Sequence, residues 1–67
     1  MNDKLPELKR ELKRLDGMIQ RVYVLVQAIS DANDPDAGTI VNALKLGHNL
    51  LITKREKVFQ QIENIEG

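Results

Sequence analysis

The sequence contains no cysteine and no tryptophan, and its aromatic residues are Tyr23 and Phe59 alone. Without cysteine there is no disulfide and no thiolate metal site. A single histidine, His48, does not make a zinc site without carboxylates or a second chain. Net charge is also absent: ten basic residues balance ten acidic ones, which does not fit the strongly basic profile of a nucleic-acid-binding domain. Long apolar runs are missing too. The longest, Val22–Val26, falls far short of the ~20 residues that span a bilayer. The opening MNDKLPELKRELKR is charged and does not read as a signal peptide. A cytoplasmic location is expected.

These absences carry an energetic consequence. A chain of 67 residues forms one domain at most and buries a small fraction of its surface. Small scaffolds of this kind are normally stapled by disulfides, a metal or a partner chain. With the first two removed, association with another chain is the expected route to stability.

What the sequence does have is helical periodicity. In the first half, apolar residues fall at Leu5, Leu8, Leu12, Leu15, Ile19, Val22, Val26 and Ile29, with steps alternating between three and four. That heptad pattern predicts one long helix over about 4–31. Pro6 suits the first turn, with Asp3 as a cap upstream, and Gly17 lies off the seam. The centre, SDANDPDAGTI, then supplies the bend. An acid at position 31 opposes the C-terminal end of a helix dipole, whereas Asp34, Pro35 and Asp36 suit a cap, a first helical position and a first turn. The reading is a turn at 32–34 and a second helix over about 35–66.

For the second helix, the apolar residues predict a core stripe of Ile40, Leu44, Gly47, Leu51, Val58, Ile62 and Ile65. Val41, His48, Ile52 and Phe59 form a flank beside it. The expected architecture is all-α: an antiparallel two-helix hairpin, one domain over residues 1–67, in which residue i faces roughly residue 68 − i. Gly47 is expected to admit close approach near Met18–Val22.

Both helices carry more apolar surface than one hairpin seam uses. MIQRVYVLVQAI is apolar over most of its circumference, and the second helix adds the Ile52/Phe59 flank and, on its other side, Leu46 and Leu50. Each Leu, Ile, Val or Phe left in water forgoes about 1.5–3 kcal/mol. Two hairpins joined as a four-helix-bundle homodimer are the simplest remedy, and capture of a partner's helix the next. The expected partner-binding residues are Met18, Val22, Tyr23, Val24, Leu25, Val41, Ile52 and Phe59.

Other clusters are candidates for chemistry. Lys9, Arg10, Lys13, Arg14 and Arg55 form a basic region that could meet an anionic partner or nucleic acid, but acids are interleaved and Glu11/Arg14 has helical pairing distance. No aromatic residue accompanies it to stack on a base. DANDPDAG fails as a calcium loop, because Pro35, Asp36 and Asn42 stand where an acidic ligand, the glycine and the glutamate belong. No phosphate loop or nucleophile–base pair is visible. The chain is expected to be non-enzymatic, with no cofactor, metal, membrane or small-molecule substrate, and to act as an adaptor, small chaperone or regulator.

In length and helix–turn–helix plan the chain resembles Rop, the plasmid RNA-binding hairpin that dimerises into a four-helix bundle. NDPDAGTIVNALKLG is similar in style to the central turn of type III secretion needle subunits, and the outline to the small chaperones of that system. LKLGHNLLITK looks like the surroundings of the Ser-Gln-Glu-Leu-Asp stretch in small aspartyl-phosphate phosphatases, with Leu44 at the serine position and His48 at the acidic one. These resemblances imply, in turn, nucleic-acid binding, a secretion role and control of a response regulator.

Overall fold

The computed structural model describes residues 4–67 and contains two helices, α1 (Lys4–Asp31) and α2 (Ala37–Glu66), packed against each other as a hairpin. At 28 and 30 residues they are about 42 and 45 Å long. The molecule measures 53 × 14 × 13 Å, a rod two helices wide. The proposed cap Asp3 lies outside the described residues.

The α1 seam is the one the heptad spells. Leu5, Leu8, Leu12, Ile19, Val22, Val26 and Ile29 are half-buried, and Leu15 is only 1% exposed. On α2 the residues turned inward are Ala37, Val41, Leu44, His48, Leu51, Arg55, Val58, Ile62 and Ile65. This corrects the expected stripe at two places. Ile40 and Gly47 are exposed, and Val41 and His48 occupy the seam instead. The reason is phase. Stepping back by sevens from the buried Ile62 lands on Arg55, His48 and Val41, and a supercoiled helix keeps that phase along its length. Gly47 does not mediate helix approach: a methyl group built on it would meet no atom within 4 Å.

Lys4 and Leu8 lie beside Gln61, Asn64 and Ile65, while Tyr23 and Val26 lie beside Lys45 and His48. Both neighbourhoods agree with the expected antiparallel register.

The bend is built from two successive devices. At the end of α1, the Ala32 amide donates to the carbonyls of Ala28 (3.1 Å) and Ile29 (3.2 Å), and Asn33 takes a left-handed conformation (φ 56°) that stops the helix. Asp34–Ala37 then forms a β-turn closed by Ala37 N–H to Asp34 C=O at 3.0 Å. Pro35 fills its second position, and Asp36, at φ −92° and ψ 0°, has the type I geometry of its third. The Asp34 carboxylate accepts from the Asp36 amide at 2.8 Å. It therefore caps the turn rather than α2, which begins two residues after Pro35. At the other end, the Gly67 amide donates to the Glu63 carbonyl at 2.6 Å and closes α2.

Candidate interaction surface

A hairpin this thin hides little. Leu15 and Ile62 are the buried apolar side chains among the described residues, and of the two Leu15 alone is fully enclosed. Large apolar residues remain open to solvent on both helices: Tyr23 (58% exposed), Val24 (62%) and Leu25 (49%) on α1, and Leu46 (73%) and Leu50 (58%) with Ile40, Ile52 and Phe59 on α2. Most lie in the half of the rod nearer the turn, where Arg21 and Lys45 are the cations and the acids are confined to the bend.

The expected partner-binding set divides on this structure. Tyr23, Val24, Leu25, Ile52 and Phe59 are exposed. Met18 is half-buried at the edge, and Val22 and Val41 face the partner helix within the hairpin, so those two serve the seam. Ile40 and Gly47, read from sequence as core, join the open surface. Their signal was their position one residue before a seam residue.

Helix geometry sorts the surface into two flanks, each about a right angle from the seam. Residues that follow seam positions line one flank, which carries Tyr23, Ile52 and Phe59 interspersed with Gln20, Gln27, Asn42 and Asn49. Its polar ties hold the hairpin together: Arg55 donates through Nε to the Asp16 carboxylate, and Lys9 Nζ lies 3.7 Å from Glu66 Oε2. Tyr23 and Lys45 border a shallow hollow there, with Val26 and His48 at its floor side toward the seam. Residues that precede seam positions line the opposite flank, which carries Met18 and Leu25 on α1 and Ile40, Ala43, Gly47 and Leu50 on α2.

The basic cluster is largely engaged by acids. Arg14 makes a two-point contact with Glu11, with Nε to Oε2 at 3.0 Å, and its other amino group reaches Met18 Sδ at 3.6 Å. That contact holds the Glu11 carboxyl below its ordinary value, with Arg14 and Lys54 adding Coulombic attraction, and raises Arg14 in return. Lys9 and Arg55 are paired as above. Arg10 and Lys13 are exposed on the same helix.

Among the described residues no group of three or more His, Asp or Glu is gathered closely enough to hold a metal ion. Among the described residues, no helix is long and apolar enough to cross a membrane. Compared with protein-family models, with curated proteins and with solved structures, the chain matches none.

Proposed function

We propose that this chain is a cytoplasmic, non-enzymatic interaction module, an adaptor, small chaperone or regulator, that works by burying its exposed apolar helix faces against another helical surface. The observation that carries this reading is the open set Tyr23, Val24, Leu25, Leu46, Leu50 and Phe59 on a rod two helices wide. Five or six such side chains left in water forgo on the order of 10 kcal/mol, comparable to the whole net stability of a small domain. A partner surface recovers that free energy, and a self-contained hairpin does not. The ion pairing of Lys9, Arg14 and Arg55 lends the nucleic-acid alternative less support.

The test is melting temperature against concentration, together with a variant in which Tyr23, Leu25, Ile40, Leu50 and Phe59, drawn from both flanks, are replaced by serine. The wild type should melt at higher temperature as concentration rises, and the variant should stay helical but lose that dependence. A concentration-independent melt of a lone, cooperative monomer that also ignores amphipathic helical peptides overturns the reading. A gel shift with RNA or DNA that collapses with salt would replace it with the nucleic-acid alternative.

A further inference from the structure

We infer that the partner is a second copy of this chain, docked antiparallel through the flank that precedes the seam, with Gly47 at the two-fold axis. The inference rests on the interaction reading above and names its occupant.

One stripe on α2, with the residue just before the helix, is symmetric about its centre. Asp36, Ile40, Ala43, Gly47, Leu50, Lys54 and Lys57 follow each other in steps of four and three and share one face. This stripe is self-complementary when reversed about Gly47. Asp36 lies about 16 Å from Gly47 on one side, and Lys57 about 15 Å on the other. An antiparallel copy therefore sets Asp36 against Lys57 of the second copy, and Lys57 against its Asp36. Nearer the axis, the small Ala43 meets the large Leu50 of the second copy, and the reverse. Ile40 meets the aliphatic stem of Lys54, whose charge extends to solvent. At the axis, Gly47 meets Gly47, and this position has free space beside it in the single hairpin.

On α1 the same flank contributes Met18 and Leu25, which straddle the level of Gly47 and meet Leu25 and Met18 of the second copy. Arg21, which precedes Val22 and lies at the level of Gly47, is the charged exception: it nears Arg21 of the second copy, with its stem along the face and its guanidinium reaching solvent. This pairing is isologous, the arrangement a two-fold dimer requires. The opposite flank lacks this character, because glutamines and asparagines interrupt it at the same level.

Area supports the assignment. A compact monomer of 7.6 kDa exposes about 4,300 Å², whereas this chain exposes 5371 Å². The excess, roughly 1,000 Å², is close to the ~800 Å² each partner buries in a stable interface.

Two measurements on the full chain test this. The sequence has no cysteine, so Gly47→Cys introduces a single thiol. Under mild oxidation it should cross-link into disulfide dimers at low micromolar concentration, while Gly17→Cys, on the back of α1, should not. Second, Asp36→Lys and Lys57→Glu should each weaken self-association about tenfold at low salt, and mixing the two should restore it as a heterodimer. Gly47→Cys that stays uncross-linked, or charge variants that fail to complement, overturns the inference. If dimers persist through both but dissolve on Tyr23→Asp or Phe59→Asp, this flank is wrong and the interaction reading survives. A wild-type chain that neither self-associates nor takes up a helical peptide ends both.

Discussion

Arg55 reaches across the hairpin from a seam position of α2 and donates to the Asp16 carboxylate on α1. Both side chains are close to half exposed, at 40% and 48%. With His48, the pair is thus a polar part of the seam, next to Leu12, Leu15, Leu51 and Val58, with the arginine stem packed and its head at the rim. A polar residue at such a position sets register more than it adds stability. A double-mutant cycle with Asp16→Ala and Arg55→Ala should return a coupling of about 0.5–1 kcal/mol in denaturant melts. It should fall markedly in 1 M salt, because the pair is open to screening. A coupling near zero at low salt would assign Arg55 to packing alone.

Leu15 and Leu46 are the same residue type at opposite extremes of burial, 1% and 73% exposed. Leu15→Ala should destabilise by about 2–4 kcal/mol and leave much of the chain unfolded at low concentration. In the unassociated hairpin, Leu46→Ala should change stability by less than about 0.5 kcal/mol. Comparable losses in the two variants would contradict the Leu15-centred seam, and circular dichroism melts decide it.

The bend depends on Asn33 in the left-handed region and on Pro35 in the type I turn. Asn33→Gly should be neutral or slightly stabilising, and Asn33→Val should cost about 1–2 kcal/mol, because a β-branched side chain resists positive φ. Pro35→Ala should lose about 0.4–1 kcal/mol by enlarging the freedom of the unfolded chain. Urea midpoints with unchanged slopes would register all three.

Acid should weaken the hairpin partly through Glu11. Arg14 holds this carboxyl below the usual 4.5, so the folded state favours its ionised form. The contribution is present above the unfolded value and disappears as pH falls through the folded one. Glu11→Gln should therefore melt lower than wild type near neutrality, with the gap closing as acid protonates the Glu11 carboxyl in the folded state as well. Both partners are at the surface, so the gap should be small and should shrink with salt. A gap that persists unchanged at low pH would remove the charge from the explanation.

Gly17 sits on the back of α1 with nothing within 4 Å of an added methyl group. Gly17→Ala should stabilise the helix by about 1 kcal/mol without changing self-association, because the site touches neither the seam nor the flank around Gly47. A shift in oligomeric state on this substitution would place the association surface elsewhere.

Much of the fold is legible in the sequence, because α1 offers its heptad only one phase. Leu5 through Ile29 are the one apolar stripe that runs the whole length of the helix, and the structure keeps every one of those positions. The second helix is ambiguous. Ile40 with Gly47 and Val41 with His48 both continue the spacing of Leu44 and Leu51, and hydropathy prefers the first. Asn33 gives no warning that it will adopt positive φ, since asparagine is common in turns of several kinds.

The sequence by itself determined that there are two helices, that they meet at one acidic, proline-bearing bend, and that their apolar residues exceed one seam. These follow from local spacing and capping, which act over a few residues. Only the tertiary structure decided which residues face inward on α2, that Arg55 ties to Asp16, and that Ile40, Gly47 and Leu50 share an open flank. Those depend on the phase of one helix against another, and a rotation of about 100° per residue makes a single-residue slip enough to exchange core for surface.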